Sequence, residues 1–361
     1  MKILFTGGRA PATLELVRNF GQNGWEVHVA DSITPAISAF SRYANYHLVN
    51  PPRHEEALFV RDLIEIINAN KIDILFPTCE EIFWIARNKK ILNENCNASV
   101  ICDDMEKLSL LHNKYRFIEF AKEEGIPSPH TVIYDGRNNF SKKSVIKPVF
   151  SRFGEDVIIV EPQGKLPQGD YKQRPFVLQE FIEGEGVCSY GFADNGILKF
   201  NVCYKSPFKT RNAFTAFKPF ECRSINETVG KIVKKLNFTG NISFDFIAGG
   251  GQYYVIECNP RITSGVHIIY ENDFTKLFFD KSDALSKRKT QLLIPTLITN
   301  YRLVLFKDAI FRLHDVKPFI RQFSCLAKFG SIARKHKISL TKATVFDIEW
   351  NGESPSPHGH G

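Results

Sequence analysis

The chain has 361 residues, of which 43% are hydrophobic and 24% charged, with a formal net charge of +8. These proportions are those of a folded globular protein and exclude a disordered or fibrous chain, and the length accommodates two or three domains of about 150 residues each. Lys and Arg are spread along the chain, with mild clusters over 281–289 and 334–342; a nucleic-acid face would lack an aromatic-basic recognition motif, and a positive field that draws in nucleotide and carboxylate substrates explains the charge as well.

The N-terminal Met1-Lys-Ile-Leu-Phe-Thr-Gly-Gly8 runs straight into a strand and a glycine turn, which leaves no room for a signal peptide. No apolar run approaches the roughly 18 residues of a membrane span, so a cytoplasmic enzyme with no membrane partner is expected. From 1 to about 105, strand and helix patterns alternate: a strand at 2–6, a helix over about 11–24, a strand at 26–30, a helix over about 55–70 and a buried strand at 72–77. That alternation predicts a parallel α/β unit. Thr6-Gly-Gly-Arg-Ala-Pro11 opens the first helix with proline where its missing donor is tolerated. The spacing Gly-x-Gly-x-x-Gly is absent, and Asp31 after the second strand is only half of a dinucleotide signature. Ligands of such sheets lie beyond the carboxyl ends of the strands, where Gly7, Gly8, Arg9 and the run Pro77-Thr-Cys-Glu80-Glu81 would meet. Arg9 and Glu80 are therefore candidate substrate residues, Glu80 for an amine, with helix N-cap chemistry as the alternative for the acids.

From 106 to about 275 the pattern changes. Asn113 to Gly125 reads as a helix with an apolar stripe at Phe117, Phe120 and Ala121 and a glycine stop. Strands then dominate. Ser144-Val-Ile-Lys147-Pro-Val places a lysine on an apolar strand face, which is costly unless the ammonium meets an anion or reaches solvent. A short polar loop over 150–156 follows, and 176–182 reads as an apolar strand ending in exposed backbone, a slot for a flat purine. The basic and aromatic run 204–214 contains Arg211 and is expected to face substrate or solvent.

The segment 242–261 carries the most chemistry, with Asp245 on one strand, three glycines at 249–251, and Glu257-Cys-Asn259-Pro-Arg261 at the end of a second strand. Alternation puts Glu257 and Asn259 on one face and Tyr254, Ile256 and Cys258 on the other. If the glycines close a hairpin, Asp245 shares the face of Glu257 only when it stands opposite residue 257, which calls for an odd-length turn. Two carboxylates brought together raise the pKa of at least one of them unless a cation intervenes. Two carboxylates and an amide oxygen suit magnesium, which takes a few hard ligands and leaves the rest to water and phosphates. Arg261, just past these residues, is a planar bidentate donor for a transferring phosphoryl group. Ser264 and Gly265 follow, where backbone N–H groups could meet a substrate carboxylate or simply form a turn.

The remainder, 276–361, shows apolar segments at 292–298 and 301–311, basic helical stretches and the closing run Phe346-Asp-Ile-Glu-Trp-Asn351. Residues 351–361 have the composition of a disordered tail. No chemistry is evident in this region. The eight cysteines are dispersed, none at zinc-ligand spacing, and are expected to be reduced core residues.

In order, Lys114, Val145-Ile-Lys147-Pro, the small-residue loop 151–154, Gln179-Glu-Phe-Ile-Glu-Gly-Glu185, Asp245 and Glu257-Cys-Asn259-Pro-Arg261 resemble the ATP-grasp superfamily of carboxylate-amine ligases. The similarity is closest to the branch of biotin carboxylase and carbamoyl phosphate synthetase and covers roughly 1–275. It implies a mixed α/β and α+β architecture: a Rossmann-like domain at 1–105, a two-subdomain nucleotide clamp at 106–275, and a region at 276–350 that completes or packs on the clamp. Carried over by position, Lys114 and Lys147 contact phosphates, and the loop with Ser151 and Gly154 closes over them. The backbone around Glu180 and Ile182 holds adenine, with Gln179 and Phe181 also counted to the ATP site, and Asp245, Glu257 and Asn259 hold magnesium or manganese. Lys147 and Arg261 become the catalytic cations. Two positions depart from the pattern: Gly186 stands where a ribose-binding glutamate is usual, leaving Glu185 to substitute, and the phosphate loop has only Gly154. The implied reaction is activation of a carboxylate by ATP as an acyl phosphate, followed by attack of an amine. Small-molecule acids and amines are the implied partners, and a homodimer is compatible with the branch.

Overall fold

The computed structural model describes residues 1–154, 156–162, 164, 174–208, 214–270, 274–279, 285–299 and 306–353. Five parallel strands form the first sheet: β1 (Lys2–Thr6), β2 (Glu26–Asp31), β3 (Ala44–Leu48), β4 (Ile74–Phe76) and β5 (Ser99–Val100), in the order β3-β2-β1-β4-β5. Ile3, Leu4 and Phe5 are fully buried, as the central strand of a parallel sheet covered on both faces requires. The helices Pro11–Gln22 and Glu56–Asn70 cover it, the first with proline at its start and the second stopped by Lys71 in the left-handed conformation (φ 54°). Because β1 lies between β2 and β4, the loops after β1 and β4 diverge at a topological switch point. There Gly7 has φ 74°, and a Cβ on it would fall 2.8 Å from Thr78 Oγ1 and 2.9 Å from Cys79, so only glycine fits.

After the helices Met105–His112 and Lys114–Glu123 comes a four-stranded antiparallel sheet of β6 (Thr131–Tyr134), β7 (Ser144–Pro148), β8 (Ile158–Val160) and β9 (Phe176–Glu180), ordered β6-β9-β7-β8. Asn113 caps the second helix by accepting from the N–H groups of Tyr115 and Arg116, which fixes Lys114 at its first turn. The larger sheet contains β10 (Glu185–Asp194), β11 (Ile197–Lys205), β12 (Ala216–Phe220), β13 (Gly240–Gly249), β14 (Gln252–Asn259), β15 (Thr290–Gln291) and β16 (Lys307–Asp308), ordered β14-β13-β10-β11-β12-β15-β16. The chain crosses between these two sheets at 181–184, where Gly184 packs so closely that a Cβ would lie 2.1 Å from the carbonyl oxygen of Ala248.

The C-terminal residues bind the parts together. The helix Lys317–His336 lays Cys325 and Phe329 against Ile37, Ile33 and Ala36 of the first unit. The following chain carries Trp350 between Phe83 and Phe150, with ring centroids 5.1 and 5.2 Å away. Asn351 does not start a loose tail as its composition suggests: its side chain accepts a 2.6 Å hydrogen bond from Arg152. The part of that tail over 354–361 lies outside the described residues.

Candidate active site

The β13–β14 hairpin sets the geometry. Its turn is Gly250-Gly251, two residues with φ 56° and 79°, flanked by the pair Gly249–Gln252. That is an even-length turn, contrary to the odd turn the sequence called for. The extra residue comes instead from a β-bulge, because Phe246 pairs with Val255 while Asp245 pairs with Glu257, leaving Ile256 unmatched. The bulge corrects the face assignment too. Val255 and Cys258 are the core residues beside Phe244 and Phe246, not the alternating set of 254, 256 and 258. Asp245 and Glu257 thus stand opposite each other, as the sequence requires, through a different device.

Cations surround this acidic pair. Lys114 Nζ lies 3.3 Å from Glu257 Oε2 and donates to the Ser151 carbonyl at 3.0 Å. Lys147, 5% exposed on β7, points its ammonium at the carbonyl of the bulged Ile256, 3.4 Å away. Burial lowers the pKa of Lys147 to about 8 against the pull of Glu257. Burial and then Glu257 push the Asp245 carboxyl up. Glu257 goes the other way, because Lys114 and Lys147 outweigh its own burial and keep it ionised. The Asn259 amide approaches Glu257 Oε1 at 3.5 Å, and its carbonyl oxygen lies 3.4 Å from the Arg261 guanidinium. The crowded like-charge pair fits a hard divalent cation, since such a cation relieves the repulsion that adds to burial in raising Asp245. Among the described residues no group of three or more His, Cys, Asp or Glu is placed to hold a metal ion, and the Asn259 amide turns its nitrogen to Glu257 and its oxygen to Arg261.

Arg261 is held from the first unit. Its Nε donates to Glu80 Oε1 at 2.6 Å, and Ser243 Oγ donates to its carbonyl at 3.1 Å. The other Glu80 oxygen lies 2.6 Å from Arg152, on the loop that follows β7. Glu80 is 1% exposed, and the two guanidinium groups overcome its burial to keep it ionised. Arg152 in turn donates to the carbonyl of Trp350 and approaches Glu349 at 3.4 Å. Beside them His112 is buried, and burial together with the cations of Arg152 and Lys114 holds its pKa well below the ordinary value despite Glu80.

The structure thus brings Lys114, Lys147, Ser151, Asp245, Glu257, Asn259, Arg261 and Glu80 together. Glu80 stands there as the anchor of two arginines and not as a free carboxylate for an amine. Arg9 is not presented to a ligand either. Its guanidinium is clamped by Asp31 at 2.6 Å and Asp347 at 2.5 Å, which locks the C-terminal chain to the first sheet. Gln179 is turned away from the cleft, because its amide donates to Thr131 Oγ1 at 2.9 Å across the β6–β9 pair. Of the crossover residues, Glu180 and Phe181 spend their N–H groups on the carbonyls of His130 and Lys143. No group among the described residues accepts from the Ile182 N–H. Glu185 is exposed and paired with Lys205 at 2.8 Å. Gly154 is exposed with φ 65°. Ser264 and Gly265 open a short 3-10 turn, Ser264–Ile268, in which a Cβ on Gly265 would fall 2.4 Å from Tyr190 Cβ, so close packing accounts for that glycine. Arg211 lies outside the described residues.

Arg152, His112 and the closing segment 349–351 were not singled out from sequence. A cation between two phenylalanines in the polar loop was the available signal for Arg152. His112 and the closing segment carry none, because every contact that defines them is long-range.

Residues 111–265 match the ATP-grasp domain family. An uncharacterized protein of Methanocaldococcus jannaschii is 23% identical over 277 residues, 72% of this chain and 70% of that protein. Among solved structures, biotin carboxylase in its β,γ-ATP complex from Campylobacter jejuni superposes with a TM-score of 0.62 at 14% identity, over 79% of this chain and 73% of that one. An L-amino acid ligase from Bacillus licheniformis superposes with a TM-score of 0.56 at 13% identity, over 73% and 68%. The shared property is the fold, a mixed α/β region behind a parallel α/β unit. No helix among the described residues is long and apolar enough to cross a membrane.

Proposed function

We propose, starting from a chain that carries an ATP-grasp domain, that this protein is an ATP-dependent ligase that activates a carboxylate as an acyl phosphate and joins it to an amine. The observation that carries the reading is the placement of Arg261: beside the Asp245–Glu257–Asn259 group, and tied through Glu80 to Arg152 of the phosphate loop. A cation so fixed suits a developing phosphoryl or acyl-phosphate charge, since it needs no reorganisation when that charge forms.

A carboxylate resists amines because its carbon is electron-rich and oxide does not leave. Transfer of the γ-phosphoryl breaks the β–γ linkage of ATP and forms an acyl phosphate, with ADP as the first product. Attack of the amine nitrogen on the acyl carbon then expels phosphate and, after loss of a proton, leaves an amide. Lys114 and Lys147 hold the phosphates in this reading, the loop with Ser151 and Gly154 covers them, and Arg261 holds the acyl phosphate. Adenine takes the free N–H of Ile182, and Glu185 reaches the ribose. Asp245, Glu257 and Asn259 would hold magnesium, which would supply charge neutralisation for the triphosphate. Burial of this group excludes the water that would hydrolyse the intermediate.

The test is ADP formation across a panel of amino acids and other carboxylic acids, each with and without an amine. Amine-dependent release of ADP and phosphate is expected. ADP formed from an acid alone, with a stable phosphorylated or carboxylated product, would replace the ligase by a kinase or carboxylase. ATP binding with no turnover on any acid would replace it by a nucleotide-binding regulator.

A further inference from the structure

A second cleft, of about 680 Å³, lies between the phosphate loop and the C-terminal chain. Of the residues assigned to phosphate, metal or Arg261, only Ser151 lines it. Its volume suits a small organic ligand. Phe150, Phe153 and Phe346 give it aromatic walls, and Arg53, Arg152, Arg174 and Lys342 bring positive charge to it beside Glu349 and Glu353. Most of that charge is already matched. Arg53 pairs with Glu349 and Glu353, Arg152 with Glu80, and Arg174 with Asp156. Lys342 differs: it is half-buried, and no carboxylate among the described residues lies within ion-pair distance of it. It stands on the short helix Leu340–Ala343, just before Phe346, whose ring packs against His336 at 4.4 Å.

We propose that this cleft binds a small organic anion, with its carboxylate or phosphate on Lys342 and a flat or apolar body against the phenylalanine walls. An unmatched ammonium in a partly desolvated cleft attracts an anion more strongly than a surface lysine does, and aromatic walls favour a flat body. The site communicates with the nucleotide site because they share one loop. Phe150 and Arg152 line the cleft, while the carbonyl of Ser151 between them holds the ammonium of Lys114. A ligand that orders this loop from one side spares part of that ordering for a ligand on the other, and the coupling is reciprocal.

Fluorine NMR of the full-length protein tests this with three probes: para-trifluoromethylbenzoate, para-trifluoromethylphenyl phosphate and the neutral para-trifluoromethylbenzyl alcohol. The two anions separate a carboxylate from a phosphate ligand. At least one anion is expected to bind, with the alcohol roughly tenfold weaker or undetected. Lys342→Glu is expected to weaken the anion at least about fivefold and Lys342→Arg to retain it, both variants keeping wild-type melting temperature and binding of a non-hydrolysable ATP analogue. Adding that analogue with magnesium is expected to tighten the wild-type anion affinity by roughly threefold or more. Failure of both anions to bind, equal binding of the alcohol, or undiminished binding to Lys342→Glu overturns the site. Anion affinity indifferent to the nucleotide analogue overturns the coupling. The anion readouts depend neither on turnover nor on ATP and so stand apart from the ligase reading, whereas the coupling rests on nucleotide binding and is read only once the analogue itself is seen to bind.

Discussion

Glu80 and Arg261 meet at 2.6 Å across the junction of the first sheet and the hairpin, and the second oxygen of the same carboxylate lies 2.6 Å from Arg152. One buried anion therefore aligns two guanidinium groups from separate parts of the chain. Removing its charge leaves buried Arg261 with no carboxylate partner and Arg152 with only Glu349 at 3.4 Å, and breaking such a buried pair costs about 3–5 kcal/mol. Glu80→Gln is expected to lower stability by about that much in denaturant titration and to reduce ADP formation more than nucleotide affinity. A variant with unchanged stability and turnover would show that Glu80 aligns nothing.

Glu257→Gln separates the acidic pair from the fold. The side chain is replaced by one of the same shape, and the pairing with Lys114 that is lost is offset by relief of the repulsion on Asp245, which can then pair in its place, so the circular dichroism spectrum and melting temperature should stay close to wild type. ADP formation should fall below detection, because one of two carboxylates that suit a divalent cation is gone. Wild-type turnover in this variant would remove the metal assignment.

Gly184 is a packing prediction. A Cβ there would sit 2.1 Å from the Ala248 carbonyl oxygen, against backbone that cannot rotate away. Gly184→Ala is expected to destabilise the protein by about 1–3 kcal/mol. It should also raise the KM for ATP, since it displaces the crossover that carries Ile182. A melting temperature equal to wild type would mean that the crossover yields freely.

The hairpin shows how much could be read from sequence and what could not. Asp245, Glu257, Asn259 and Arg261 lie within 17 residues of one another, so strand alternation and a glycine turn were enough to put them together. The means was not legible. A two-residue glycine turn plus a bulge at Ile256 gives the same pairing as the odd turn the pattern called for, and side-chain alternation does not distinguish them. Arg9 was misread because its partners come from both ends of the chain, Asp31 and Asp347, and no local pattern announces a contact 338 residues away. Gln179 was misread for a related reason: its neighbour Thr131 is set by strand order, which the sequence does not state. Much of the first unit was legible, because its buried parallel strands are continuous apolar runs, although β3, half-exposed, gave no such run.

Glu15 carries a pH prediction away from the nucleotide cleft. Its carboxylate is held by Arg288 at 2.7 Å, Arg312 at 3.1 Å and His267 at 3.3 Å. Burial alone would raise its pKa, but these partners bring it down from 4.5 to about 2. A depressed carboxylate stabilises the folded state fully above the unfolded value and loses that contribution as pH falls from about 4.5 to about 2. The shift corresponds to about 3 kcal/mol. Glu15→Gln is therefore expected to be less stable than wild type at neutral pH, with the gap in unfolding free energy narrowing as pH is lowered through that window. A gap that is constant with pH would show that the ion cluster contributes nothing through its charge.

Trp350 links the C-terminal chain to the loop that follows β7. Its ring lies between Phe83 and Phe150, its indole is 4% exposed, and its carbonyl accepts from Arg152. The neighbouring Asn351 takes a second hydrogen bond from Arg152 at 2.6 Å, so two consecutive residues hold the guanidinium that Glu80 holds from the opposite side of the junction. Trp350→Ala keeps the carbonyl but empties the space between two rings, at a cost of about 3–5 kcal/mol. Asn351→Ala keeps the packing and removes only one acceptor of Arg152, which still has the Trp350 carbonyl and Glu80, so its effect on stability is far smaller than that of Trp350→Ala. If the segment acts only as packing, Trp350→Ala should lower stability while turnover at a permissive temperature stays intact, and Asn351→Ala should be silent. If it also fixes Arg152, both variants should lower kcat for ADP formation, with Asn351→Ala doing so at nearly unchanged melting temperature. The double hydrogen bond to Arg152 supports the second outcome, and a silent Asn351→Ala would exclude it.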